Sequence, residues 1–159
     1  MTEENKIQQK FVEKFGYLNG NVTVQRPRRM LADVPSANFH EVFDYAVKNL
    51  GFSILCTITG LDEGAALGVI YHLAKENGVV LNLHTSVPKE KPIIKTIMPY
   101  FPAAEDYERE LVDLFGVQVQ GLPEGSRYPL PDDWPANQFP LRKDWKPKTH
   151  EKKEAVENA

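Results

Sequence analysis

The residues able to do chemistry in this 159-residue chain are few and widely spaced. Cys56 is the only cysteine, so an intramolecular disulfide is impossible and a cluster needing four thiolates cannot be built from this chain alone. It sits inside the apolar run FSILCTITG, where a small buried hydrophobe is the expected reading rather than a nucleophile. His40, His72, His84 and His150 fall on different predicted elements, which gives none of the spacings of a metal site. Asp62 and Glu63 are adjacent carboxylates, but in a glycine-flanked turn they read as solvated turn residues rather than an acid/base pair. Lys89, Glu90 and Lys91 read as a solvated loop. A glycine-rich phosphate loop, a HExxH pair and a GxSxG elbow are all missing, which counts against autonomous catalysis.

One carboxylate stands apart. Projected at about 100° per residue, the helix DYERELVDLFG gathers Tyr107, Leu111, Leu114 and Phe115 into an apolar arc, and Glu108 falls within it. A carboxylate on an apolar face is destabilising unless it meets a cation or a hydrogen-bond donor. Glu108 therefore either reaches water at the edge of its own domain or bonds an arginine or backbone groups, in this chain or in a partner. Arg109 and Asp113 lie on the opposite side, four residues apart, where a pair is expected, and Glu110 sits at the arc's edge. Further on, Arg127, Tyr128, Trp134, Phe139, Leu141, Arg142 and Trp145 put large anchors on a proline-crowded backbone that cannot form a core by itself. Such a tail either folds back over its own sheet or binds a partner surface through a few buried contacts.

The elements that must position these groups are those of one α+β domain. A globule of this length buries roughly 70% of its extended surface, and 42% hydrophobic with 26% charged residues is ordinary soluble composition. A net charge of −3 provides no basic field for nucleic acid. The N-terminus lacks a basic segment followed by an apolar run, and nowhere do about 18 apolar residues stand together. The chain is expected to be soluble and unexported, meeting a membrane only through other proteins.

Ile7, Phe11 and Phe15 predict a helix over residues 6–15 closed by a left-handed Gly16, and 21–25 and 28–34 read as strands. FHEVFDYAVKNLG carries a continuous apolar stripe, with Ser36 or Asn38 as cap, Asn38 paired with Glu41 in a capping box, and Gly51 as stop. Three β-like runs follow, broken at residues 62–64 and 76–78, and in the third Val79, Leu81 and Leu83 alternate with Val80, Asn82 and His84. A small, mostly antiparallel or mixed sheet covered by helices on one face is expected. The organisation reads as an N-terminal helix over 1–18, an α+β domain over 19–120 with a polar helix at 103–115, and an extended proline-rich arm over 121–159 that ends in the solvated run THEKKEAVENA.

The run ERELVDLFGVQVQGLPEGSRYPLPDDWP, followed by FPLRKDW, resembles the signature of the 30 kDa subunit family of respiratory complex I. That family includes the equivalent small subunits of membrane-bound, energy-converting nickel-iron hydrogenases. The similar positions are Glu108, Arg109, Glu110, Asp113, Phe115, Gly116, Gly121, Pro123, Arg127, Pro140, Leu141, Arg142, Lys143 and Asp144, with weaker similarity back to Ser53. Leu122, Ser126 and Phe139 depart from the complex I pattern and look more like the hydrogenase branch.

The resemblance implies a subunit that holds no cofactor itself. It would dock on a large catalytic subunit bearing a nickel-iron centre and on a small subunit bearing iron-sulfur clusters, at the cytoplasmic face of the membrane. Hydrogenase activity, linked to ferredoxin, carbon monoxide or formate and coupled to ion translocation, is the leading implication. The 30 kDa subunit of an NADH or ferredoxin:quinone oxidoreductase is the alternative, and a small hydrolase using Glu108 or Asp113 is a third. Trp134 joins the similar positions as an expected interface anchor, and Glu108→Ala or Arg142→Ala is expected to leave the domain folded while weakening assembly.

Overall fold

Alternation of apolar and polar residues in three consecutive runs dictates the centre of the structure, a computed structural model that describes residues 1–147. In chain order the elements are α1 (Glu3–Lys14), β1 (Val22–Arg26), β2 (Arg29–Asp33), α2 (Phe39–Lys48), β3 (Ile54–Asp62), β4 (Ala66–Ala74), β5 (Val80–Pro88), β6 (Ile93–Lys95), α3 (Ala104–Phe115) and β7 (Gln118–Gln120). The main sheet has the order β1-β2-β5-β4-β3, and β6 and β7 form a separate parallel pair. β3, β4 and β5 make the expected antiparallel meander. β2 runs parallel to β5, with Met30 opposite Leu81 and Ala32 opposite Leu83, so the sheet is mixed. Such a pair needs a long crossover, supplied here by α2, β3 and β4.

The inner face is made by Met30, Ala32, Leu67, Val69, Tyr71, Leu73, Leu81 and Leu83, none of which has exposed surface. All three helices cover it. The α2 stripe of Phe39, Val42, Phe43 and Ala46 is buried there, α1 adds Ile7 and Phe11, and α3 adds Leu111 and Phe115. α3 approaches β3 at Gly60, where an added Cβ would stand 2.5 Å from the Phe115 ring and 2.8 Å from a Leu111 methyl. Gly60→Val is therefore expected to destabilise the fold by about 1–3 kcal/mol through overpacking, measured by urea denaturation. An unchanged midpoint and slope would show that α3 is not seated there.

Helix termini depart from the sequence expectation for local reasons. α1 begins earlier than expected because Thr2 Oγ1 accepts from the Asn5 amide at 3.3 Å, with Glu3 and Glu4 in the first turn. Gly16 does not take the left-handed conformation, since a 3-10 turn over Gly16–Leu18 carries the chain onward and buries Leu18. Asn38 makes no side-chain cap and no capping box with Glu41; a 3-10 turn over Ser36–Asn38 feeds α2 instead, and Asn38 donates its amide to the Pro35 carbonyl. Gly51, at φ +77°, does end α2.

The outer face carries polar ladders across the strands. His72 lies between Thr59 Oγ1 (2.9 Å) and Asn82 Oδ1 (2.8 Å), and His84 between Asp33 Oδ1 (2.5 Å) and Glu63 Oε1 (2.8 Å). Cys56 is exposed rather than core, because a bulge between Leu55 and Thr57 turns this position of the edge strand outward. His150 and the run THEKKEAVENA lie outside the described residues.

Candidate functional site

The residues singled out by the sequence converge on α3 and on the arm that follows β7. The charged side chains of α3 point in different directions, and most of them are bound within the chain.

Glu108 faces inward and has no exposed surface. Its Oε1 accepts from the Ile97 amide at 2.8 Å and its Oε2 from the Thr96 hydroxyl at 2.6 Å. The backbone alternative thus holds, with donors from the segment between β6 and α3 and with no cation. Burial raises the Glu108 pKa above the ordinary value, against the opposing effect of these two hydrogen bonds. This placement corrects the expectation that Glu108 acts at a surface. It also removes Glu108 as an open carboxylate for a hydrolase.

Arg109 and Asp113 do not pair with each other. Arg109 turns back to Glu105 Oε1 at 2.7 Å and also donates to the Pro123 carbonyl at 2.9 Å. Asp113, 5% exposed, accepts from Arg127 Nε at 3.3 Å and from the Leu130 amide at 3.2 Å. Each forsakes the expected partner for contacts that also tie down the arm, which supplies groups that water would otherwise replace. Glu110 is half-buried and makes no side-chain hydrogen bond among the described residues.

The arm runs back along the helix that precedes it. Gly121, at φ +86°, passes so close to the Thr96 methyl that an added Cβ would lie 2.8 Å away. Arg127 spans Asp113 and the Trp134 carbonyl (2.7 Å). Trp134 and Trp145 are not isolated anchors, since their ring centres are 6.1 Å apart and both indole N–H groups donate to Gln138. At the end of α3, Gly116 (φ +72°) leaves room for the Phe139 ring and Arg142, and a Cβ there would be 2.6 Å from Phe139. Arg142 stacks on Phe139 at 4.5 Å and donates from Nε to the Phe115 carbonyl at 2.6 Å, while the Leu141 amide reaches the Leu114 carbonyl at 3.1 Å. Orphan carbonyls at a helix C-terminus favour such cationic donors. Pro140 between them is half-buried.

The clip at the arm's far end was not legible from sequence. Asp62 is buried, not solvated: it accepts from the Gly64 amide at 2.9 Å, Lys89 Nζ at 2.8 Å and the Lys143 amide at 2.7 Å. Lys89, likewise read as a solvated loop residue, bridges Asp62 and Asp144 (3.2 Å). Bonding to Lys89 above all holds the Asp62 carboxyl far below the usual range, and the same contact raises the Lys89 pKa. The only hint was the Asx-turn pattern Asp62-Glu63-Gly64, which says nothing of the other donors.

The arm nevertheless leaves apolar surface open. Leu141 is 52% and Tyr128 46% exposed. Among the described residues there is no group of three His, Cys, Asp or Glu side chains placed to hold a metal ion, and no helix long and apolar enough to cross a membrane.

Comparison with known proteins agrees with this architecture. The chain is 33% identical over 135 residues to an F(420)H(2) dehydrogenase subunit of Methanosarcina mazei, covering 83% of this chain and 85% of that one. It is 34% identical over 89 residues to the membrane-bound hydrogenase subunit beta of Pyrococcus furiosus, covering 54% of this chain and 51% of that protein. A chain in the structure of the membrane-bound sulfane sulfur reductase, an archaeal respiratory membrane complex, superposes with a TM-score of 0.77 at 27% identity, over 91% of this chain and 86% of that one. The profile of the family described as respiratory-chain NADH dehydrogenase, 30 Kd subunit, matches residues 32–151. Members of that family are subunits and work beside partner chains. With a mixed sheet under three helices, an arm clipped to α3 and a match over most of its length, the chain belongs to the 30 kDa subunit family of respiratory-chain NADH dehydrogenase.

Proposed function

We propose that this chain is a cofactor-free assembly subunit of a membrane-associated hydrogenase complex. It sits at the cytoplasmic face and docks on the large catalytic subunit and on the cluster-bearing small subunit. The observation that carries this reading is the arm: its two arginines and two indoles are engaged in holding its shape, while Leu141 and Tyr128 stay exposed. A preshaped strand of anchors binds with less ordering entropy than a free tail. The nickel-iron centre and iron-sulfur clusters belong to the partners in this reading, since a single cysteine cannot ligate a cluster of four thiolates.

Leu141→Asp tests the interface. Its side chain touches solvent, so the isolated chain should keep its stability within about 0.5 kcal/mol, while recovery of the large partner with a tagged chain should fall about tenfold or more. A full complement of subunits in the purified variant complex would sink the assignment.

A second reading, the equivalent subunit of a quinone-reducing complex, is favoured by the description of the matching family. Nickel in the purified complex separates the two: stoichiometric nickel supports the hydrogenase, and its absence alongside quinone-linked activity supports the other. Metal bound stoichiometrically by the isolated chain would contradict both.

A further inference from the structure

The arm is fastened at one end of the main sheet, where β3 turns into β4 and β5 runs out, since Asp62, Gly64 and Lys89 all stand there. The opposite end is formed by the turn between β1 and β2, the turn between β4 and β5, and the start of α1. There Ala74 pairs with Val80, and Val80 with Arg29. Nine residues of β4 separate the two ends, roughly 25–30 Å at the rise of a strand. A partner seated on the clipped end of the arm need not cover the far end.

That far end is built around an arginine. Arg28 takes φ +63°, a left-handed conformation that glycine or asparagine adopts at less cost. Its amide donates to Glu4 Oε1 at 2.7 Å, and its carbonyl accepts from the Val80 amide at 3.0 Å and from Arg29 Nη1 at 2.8 Å. Glu4 is only 8% exposed, a carboxylate withdrawn from water and bonded to this turn. The backbone of Arg28 is thus pinned at both its polar groups while the residue stays exposed, with its guanidinium lying over Gly78, where an added Cβ would be 3.7 Å from Nη1. Backbone held in a costly conformation by its surroundings clusters at binding sites.

Positive charge gathers around it. Arg26 and Arg28 are exposed, as are Lys6 and Lys10 one turn apart on α1, and none of the four enters an ion pair among the described residues. The acids beside them are largely engaged: Glu4 holds the Arg28 amide, and the two Glu3 oxygens accept from Lys75 Nζ at 2.7 Å and Asn77 Nδ2 at 2.8 Å. Glu76 is exposed. The result is a positive surface on a chain whose net charge is −3. A hollow of about 300 Å³ opens in it between α1 and the end of α2, lined by Lys6, Lys10 and Lys75 together with Ile7 and Leu50. A bilayer of anionic lipid presents one sign on a flat surface, so Glu3 and Glu76 oppose it and the hollow stays unfilled. A protein surface can meet both signs and send a side chain into a hollow, and arginine forks match carboxylates.

We infer that this end is a second docking surface, for an Asp- and Glu-rich face of another subunit of the complex. Arg26 and Arg28 take its carboxylates, and Lys6 and Lys10 supply the field that draws it in. This rests on the proposed assembly role only in placing the chain in a complex with more than one other subunit.

Arg26→Gln combined with Arg28→Gly tests it, because glycine is at ease at φ +63° and the fold should be kept, as circular dichroism and urea denaturation will show. When the complex is purified on the tagged full-length chain, recovery of one subunit should fall on the order of tenfold. Lys6→Gln with Lys10→Gln, on the exposed side of α1, should lower recovery of the same subunit to a lesser degree. Raising salt from about 0.1 M to about 1 M, which shortens the screening length from about 10 Å to about 3 Å, should loosen that subunit from the parent. Carbodiimide treatment of the parent complex should join Lys6 or Lys10 to an Asp or Glu of it. Unchanged recovery of every subunit in the folded arginine variant overturns the proposal. So does a variant that loses only binding to vesicles of equal parts phosphatidylcholine and phosphatidylglycerol, which assigns the surface to lipid. Loss of a subunit from the arginine variant but of none from Leu141→Asp would sink the arm assignment and leave this one standing.

Discussion

Glu108→Ala is expected to lower the unfolding free energy by about 3 kcal/mol, because it strands the Ile97 amide and the Thr96 hydroxyl in a dry interior at about 1–3 kcal/mol each. Glu108→Gln should stay within about 1 kcal/mol of the parent. The amide oxygen can take the Ile97 N–H, and its NH₂ can donate to Thr96 Oγ1, which already accepts from the Met98 amide at 3.1 Å. The dependence on pH gives a sharper check. Burial raises the folded-state pKa above the unfolded one, so the contribution of Glu108 is complete below the unfolded value, about 4.3, and declines as pH rises through the raised folded value. The stability of the parent minus that of Glu108→Gln should therefore fall with rising pH across that window. A difference that is flat between about pH 4 and about pH 8 would contradict the burial argument. The expected loss now lies in folding rather than in assembly, which reverses the expectation drawn from the residue's place in the motif.

Asp62→Asn should release the end of the arm. The new NH₂ would face two donors, Lys89 Nζ and the Lys143 amide, in place of the oxygen that receives both. Tryptic cleavage after Lys143 in the native chain should quicken on the order of tenfold as that segment opens, with the core still folded by circular dichroism. Acid should open the same segment of the parent, seen as faster amide exchange there, since trypsin does not act in such acid. The folded pKa of Asp62 is depressed by Lys89, Lys143 and Gly64, so its contribution is full above the unfolded value, about 3.9, and is lost as pH falls through the folded value. Cleavage unchanged in Asp62→Asn would mean that Leu141, Arg142 and α3 alone hold the arm.

The division between what could be read from sequence and what could not follows interaction range. The α2 stripe and the alternation of Val79, Leu81 and Leu83 are signals carried by neighbours a few residues apart, and both survived folding intact. Projection placed Glu108 among apolar residues, and burial agrees. What failed depended on distant groups. Asp62 looked solvated because its donors stand 27 and 81 residues away at Lys89 and Lys143. Arg109 and Asp113 looked paired because helical spacing allows it, but Arg127 comes 14 residues after Asp113 with the arm behind it. Cys56 looked buried because the apolar run hides a bulge that only the β4 partner reveals. The parallel seam between β2 and β5 is likewise a matter of topology, which local periodicity does not carry.

The order of the latch along the chain bears on biogenesis. Every group that seizes the arm, from Asp62 and Lys89 to the end of α3, is translated before the arm itself. Domains fold largely as they are synthesised, so the receiving surface can be complete when residues 121–147 leave the ribosome. A newly made chain can thus park its arm against itself at once, keeping much of those aromatic side chains sheltered while it waits for the rest of the complex.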